Sequence, residues 1–322
     1  MELTDSQLGC FVDNSLKLPK GKRTAYLDQV DNLITVFSAA AKKDPVINIR
    51  KFLKTGSLWK GTVLRPRGDF GVDADIAVFL NTDGASKFDL ASLHQRLRLL
   101  LCAAYPQKKP EDFTVQPRTL GIVFRVSGME VDLVPIIPIE GPGDYGWQPS
   151  STGDAPIKTS VGKQLEFIRA RKDRYHQFTA LVRLVKHWRN HHELDETLRS
   201  FMIELIVSHL QDDEGSPPSL EKGLLRFFLY VAQSELRDPV IFPENGKVTS
   251  LPKDPVVILD PVNTENNVAR RLTDLERQEI VNKATAAWET LTAARNNNFK
   301  GETLEYWKET FGRSFVIEEE GK

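Results

Sequence analysis

Residues 73–80 read Asp73-Ala74-Asp75-Ile76-Ala77-Val78-Phe79-Leu80, two carboxylates at i and i+2 at the mouth of an apolar run. The alternation predicts a strand over residues 74–80 with Ile76, Val78 and Leu80 on one face. On a strand, i and i+2 point the same way, so the two aspartates share a face with their Cα atoms ~6.5–7 Å apart. Like charges held this close raise each other's pKa, and a divalent cation resolves the conflict; hard oxygen donors suit magnesium. By itself such a pair is more often a set of solvated loop carboxylates, so its neighbours decide what it means.

Downstream, the β-rich runs 121–126 and 130–137 are separated by Ser127-Gly128-Met129, which predicts an antiparallel hairpin. The second arm, Glu130-Val131-Asp132-Leu133-Val134-Pro135, repeats the pattern and puts Glu130 and Asp132 on one face. If this strand neighbours the first, three or four carboxylates converge. That is the ligand set of two-metal phosphoryl or nucleotidyl transfer, with cations ~3.5–4 Å apart. Upstream, Gly56-Ser57 places backbone N–H groups and a hydroxyl at a glycine turn and helix start, an anion site suited to a triphosphate. Gly56 and Gly61 also have P-loop spacing, but Thr62-Val63 follow where Lys-Ser/Thr is required, and Lys60 precedes the second glycine. That motif is rejected.

Further out, helical periodicity covers residues 23–43, through Leu27, Val30, Ile34 and Phe37, and 90–105, through Leu93, Leu97, Leu100 and Leu101. Residues 138–160 are rich in Gly, Pro and Ser and read as a linker or an active-site rim. Residues 165–190, 197–210, 220–236 and 273–294 all carry the 3.6-residue period, with a loop at 211–219. An α/β half is therefore followed by a mostly helical half, and 322 residues suffice for two domains.

Composition narrows the function classes. The formal charge is −1, so nothing global draws the chain to nucleic acid or anionic membranes. Cys10 and Cys102 form no C-x-x-C, which excludes a disulfide framework and a cysteine zinc site. The start lacks a signal-peptide pattern and no apolar run approaches the ~20 residues of a membrane span, so the expected location is the cytoplasm, with no membrane partner.

Against this neutrality, residues 158–189 hold nine cations, among them Arg171, Arg183, Lys186 and Arg189, and two anions, Glu166 and Asp173. Three readings stay open for the stretch: it faces nucleotide phosphates, contacts duplex DNA, or is a solvated helix over Leu165, Ile168, Leu181, Leu184 and Val185. His187 and His191, four apart, offer a weak zinc alternative. Trp188 and Phe201 are expected in the core, and Glu318-Glu319-Glu320 in solvent.

The order Gly56-Ser57, Lys60-Gly61-Thr62, Leu64-Arg65, Asp73-Ala74-Asp75 and Val131-Asp132-Leu133-Val134-Pro135 resembles the polymerase-β-like nucleotidyltransferases. Within them it is most similar to the bacterial cGAS/DncV-like branch (CD-NTases), the oligonucleotide cyclases of CBASS antiphage defence, with oligoadenylate synthases as cousins. The likeness runs on through Ala170-Arg171-Lys172, Val182 to Trp188, Ser200 to Leu205, Asp260-Pro261-Val262-Asn263 and Asn266-Asn267-Val268-Ala269, covering nearly the whole chain.

The resemblance implies an α/β nucleotidyltransferase core with a mixed sheet at residues 1–160, and a helical oligoadenylate-synthase-like domain at 161–322 closing the nucleotide cleft. It implies Asp73, Asp75 and Asp132 as catalytic and metal-binding residues, with two Mg2+ ions or Mn2+ in their place. Gly56 and Ser57 match the donor triphosphate loop; Lys186, Ser200 and Asn267 match nucleotide-binding positions of the helical half. Substrates would be ATP and other nucleoside triphosphates. The clade it resembles encodes HORMA-domain and Trip13-like AAA+ partners and makes cyclic tri-AMP, a second messenger. The link before Asp73 is longer than usual in the family, which leaves Asp69 as a spare carboxylate, and Glu130 is a second one beside Asp132. The enzymatic alternative is a template-independent transferase acting on an RNA end or a small molecule. A non-enzymatic binding module has no use for like charges held together.

Overall fold

A computed structural model of the chain describes residues 1–67, 71–81 and 90–317; Asp69 and Glu318-Glu319-Glu320 lie outside the described residues. The chain divides into two compact units, Leu18–Glu166 and Met1–Lys17 with Phe167–Lys322.

In the first unit, strand β2 (Val72–Leu80) lies between β1 (Ile49–Thr55), antiparallel to it, and β5 (Met129–Pro138), parallel to it. Beyond β5 come β4 (Leu120–Phe124) and the short β3 (Phe113–Val115), both antiparallel to their neighbours, giving a mixed sheet of order β1-β2-β5-β4-β3. The expected hairpin is thus β4–β5. Ala74, Ile76, Val78, Val131 and Leu133 bury one face against Val30, Leu33 and Phe37 of α2 (Lys20–Ala41) and Leu93, Leu97 and Leu101 of α4 (Leu90–Ala104).

The other face changes character along the strands. It starts with Asp73, Asp75, Glu130 and Asp132 and ends with Ala77, Phe79, Val134 and Ile136, which form a second small core with Val161. The strands alternate where one face is open and become continuously apolar where both are covered. This switch places the carboxylates at the open end.

Residues 138–160 are more than a loop: β6 (Gly146–Gln148) pairs with the end of β5, and β7 (Ile157–Thr159) with β6. Three residues are too few to show a period. The helix expected over 165–190 is two, α5 (Val161–Arg174) and α6 (Phe178–His191), broken at Tyr175–Gln177, where no Gly or Pro marks the joint.

The helical unit adds α1 (Asp5–Phe11), α7 (Ser200–Glu214), α8 (Leu220–Ser234), the β8 (Leu259–Asp260) and β9 (Asn263–Asn267) ladder, α9 (Asp274–Asn296) and α10 (Lys300–Phe311). The first 17 residues cluster with this unit and not with Leu18–Glu166. Asp5 accepts from Gln177 Nε2 at 2.8 Å and from the Leu220 amide at 2.7 Å, and Phe11 packs on His187 and Phe315. Among the described residues no helix is long and apolar enough to cross a membrane.

Candidate active site

The register of the two parallel strands sets the site. Asp73 lies beside Glu130 and Asp75 beside Asp132, on strands about 4.8 Å apart, all four on the open face. On the other side of β2, Asp75 pairs with Thr55 of β1, whose chain runs directly into Gly56. Gly56 has φ +77°, and a side chain there would overlap the Asp75 carboxylate, its Cβ only 2.9 Å from Asp75 Cγ. Glycine is thus required twice, for the backbone angle and for the carboxylate beside it. Gly56 opens the single helical turn α3 (Ser57–Lys60), closed by the Lys60 amide donating to Gly56 O at 3.1 Å, and no side chain caps its start. Gly61, φ +75°, ends it. The sequence-predicted Gly56, Ser57, Asp73, Asp75 and Asp132 therefore lie on β1–α3, β2 and β5 of one sheet, with Glu130 among them.

Electrostatics follow from this crowding. Burial first, then the charges of Asp75, Glu130 and Asp73, push the Asp132 carboxyl up to about 7. Asp132 Oδ1 is buried and makes no close hydrogen bond, and the Thr119 hydroxyl offsets only part of the upward shift. A charged Asp132 is thus poorly accommodated unless a cation accompanies it.

The helical unit treats its three predicted residues differently. Lys186 is 2% exposed and donates to Glu204 Oε1 at 3.2 Å. Ser200, first residue of α7, accepts from Arg189 Nη1 at 3.2 Å. Buried Asn267, expected at a nucleotide-binding position, holds a loop together: its Oδ1 accepts from the Ile258 and Ala269 amides, and its Nδ2 donates to Asp254 and Val256 O. Both ends of the amide are occupied.

The basic stretch is also partly spent. Arg183, Lys186 and Arg189 are buried, and Arg171 lies 3.6 Å above the Phe167 ring while pairing with Asp212 and Glu244. The exposed cations of the stretch are Lys158, Lys163, Arg169, Lys172 and Arg174, interleaved with exposed Glu166 and Asp173. Of the two histidines of the zinc alternative, His187 turns its Nε2 to Phe311 O at 2.9 Å, and among the described residues no three His, Cys, Asp or Glu side chains gather there. Trp188 is fully buried in the core, as expected.

The chain is similar in sequence and fold to known proteins. Residues 175–300 match the family described as Nrap protein PAP/OAS1-like domain 5. Over 319 residues the chain is 39% identical to the CBASS oligonucleotide cyclase CdnC of Escherichia coli strain KTE188, covering 99% of each chain. The chain belongs to the CBASS oligonucleotide cyclases. It is also 32% identical, over 95% of both chains, to the cyclic AMP-AMP-AMP synthase of E. coli strain MS 115-1. Among solved structures, E. coli MS115-1 CdnC with ATP superposes with TM-score 0.83 at 31% identity, covering 98% of this chain and 99% of that one. The same protein in its CdnC:HORMA-deltaN complex gives 0.80 at 30% identity, covering 98% of each.

As a CBASS oligonucleotide cyclase the protein is a nucleotidyltransferase of cyclic nucleotide synthesis in antiphage signalling. Its site fits the divalent cation such enzymes use. The donors are all oxygens, and Asp132 Oδ1 is buried. Among the described residues no three His, Cys, Asp or Glu side chains already close on a single point.

Proposed function

We propose that this cyclase joins ATP into a cyclic oligoadenylate, cyclic tri-AMP, releasing pyrophosphate at each step. The observation that carries this reading is the register that sets Asp75 beside Asp132 and against Gly56. Asp73, Asp75 and Asp132 hold two magnesium ions, or manganese. When bound, the ions activate the attacking ribose hydroxyl and neutralise charge on the transferred phosphate and the pyrophosphate.

The chain's own part is placement. Gly56 and Ser57 receive the donor triphosphate beside Asp75, through backbone N–H groups and the Ser57 hydroxyl. The acceptor ribose hydroxyl approaches on the Asp132 side. Its oxygen bonds to the α-phosphorus as the bond to pyrophosphate breaks, and its proton leaves toward the Asp132 carboxylate. Lys186 and Ser200 are the helical unit's nucleotide-binding residues in this reading. Asp75, at the centre of the set, would help hold the cations that offset the phosphates' charge.

The name of the cyclic AMP-AMP-AMP synthase supports adenine and a three-membered ring, and the CdnC:HORMA-deltaN complex supports a HORMA-domain partner. A Trip13-like AAA+ partner, duplex DNA on the exposed cations from Lys158 to Arg174 and a cytoplasmic location complete the reading.

The test is incubation of purified protein with each α-labelled nucleoside triphosphate and Mg2+, with and without duplex DNA and a HORMA-domain partner. Phosphatase treatment and mass spectrometry follow. A phosphatase-resistant cyclic tri-AMP, absent from the Asp73→Ala, Asp75→Ala protein, is the expected product. A linear extension of RNA, or AMP on a small molecule, would establish the alternative transferase instead.

A further inference from the structure

A second glycine on the sheet face marks a residue that the triad leaves out. Gly121 of β4 lies directly across from Asp132 of β5. A Cβ on Gly121 would overlap Thr114 Oγ1 of β3 and lie 2.8 Å from Glu130 Oε1 and 3.1 Å from Asp132 Oδ1. Three oxygens from two other strands therefore converge on the space above one glycine, which puts the Glu130 and Asp132 oxygens within about 6 Å of each other. Glu130 does not hang there loosely: Thr114 Oγ1 donates to Glu130 Oε1 at 3.3 Å and fixes its direction. The neighbouring Asp132 Oδ1 is buried and makes no close hydrogen bond.

We propose that Glu130, held by Thr114 over Gly121, is a positioning residue of the divalent-cation site, accepting hydrogen bonds from water on the cation that Asp132 binds. The inference rests on the reading that Asp73, Asp75 and Asp132 hold the cation. Magnesium gives up its waters reluctantly and is bound through few carboxylates, so carboxylates one layer out hold it through those waters. Such outer groups change metal affinity by about 10–100-fold. Glu130 has the right chemistry for this, an anionic acceptor anchored at one oxygen with the second available for rotation toward the cation. It also has a cost, because its charge beside Asp132 and Asp73 repels them when no cation is present. A purely structural side chain would stabilise the metal-free protein; a cation-positioning one opposes it.

The two roles separate in a titration of Mn2+ and Mg2+ into the full-length protein without nucleotide, read by calorimetry and by thermal melting. Glu130→Gln keeps the shape and the Thr114 hydrogen bond, so folding is preserved. Expected results are about tenfold weaker cation binding for Glu130→Gln, a smaller loss in the same direction for Thr114→Val, and a metal-free melting temperature of Glu130→Gln at or above that of the unaltered protein. Asp132→Asn serves as reference and loses cation binding outright. Unchanged affinity in Glu130→Gln with loss in Asp132→Asn overturns the positioning role and leaves the triad intact. Loss in Glu130→Gln as complete as in Asp132→Asn makes Glu130 a direct ligand and also overturns it. Unchanged affinity in both variants removes the triad reading itself.

Discussion

The Asp75 carboxylate occupies the space that a side chain on residue 56 would fill, and Gly56 meets it with a backbone angle, φ +77°, that other residues rarely adopt. The proposed phosphate loop and the central carboxylate are thus one fitted unit. Gly56→Ala is expected to cost about 1–3 kcal/mol in backbone strain alone. The added methyl must also displace Asp75 or the α3 turn. Cyclase turnover should fall at least a hundredfold, with a drop in melting temperature too small to account for it, measured on the same preparation.

Asp132 gives the site a pH signature. Its folded pKa, raised to about 7 by burial and by Asp75, Glu130 and Asp73, exceeds its ordinary value. The folded state therefore holds that proton more tightly than the unfolded chain. The resulting stability is full below the ordinary carboxylate pKa and is lost as pH rises through about 7. The metal-free protein should melt lower at pH 8 than at pH 5.5, and Asp132→Asn should flatten the difference. Stabilisation by added Mg2+ should grow over the same interval, since the cation competes with the proton.

Strand β2 is readable because its polar pattern and its packing coincide: Asp73 and Asp75 alternate with buried Ala74 and Ile76, and then both faces close at Ala77 to Leu80. The β4–β5 hairpin was equally legible from Ser127-Gly128-Met129 between two apolar runs. Other features depend on contacts no local pattern carries. β6 and β7 are three residues each and exist only because β5 extends far enough to pair with them. Helix α10 was missed although Thr303, Trp307 and Phe311 fall at four-residue steps; its charged exposed face, from Glu302 to Lys308, masked the stripe. The burial of Lys186 against Glu204 could not be read, because each is polar and their partnership spans two helices.

Asn267 separates a loop-building role from a ligand role. Removing its amide leaves the buried amides of Ile258 and Ala269 and the carbonyl of Val256 without this partner. Each such loss costs about 1–3 kcal/mol when the group stays buried. Asn267→Ala should lower the melting temperature clearly while leaving the KM for ATP unchanged at temperatures where the variant is folded. A raised KM with unaltered melting would return Asn267 to the nucleotide.

Lys186 and Glu204 form a buried ion pair, with side chains 3% and 1% exposed. Breaking one member of such a pair strands the other charge and costs about 3–5 kcal/mol, whereas replacing both with apolar residues of similar volume is often neutral or stabilising. Lys186→Met alone should therefore destabilise the helical unit strongly, and Lys186→Met with Glu204→Leu should recover the melting temperature. If Lys186 also serves the donor phosphates, the recovered double variant remains deficient in turnover with a raised KM for ATP. Full activity in that variant would confine Lys186 to the fold, because its stability and its charge are then separated and only the charge is missing.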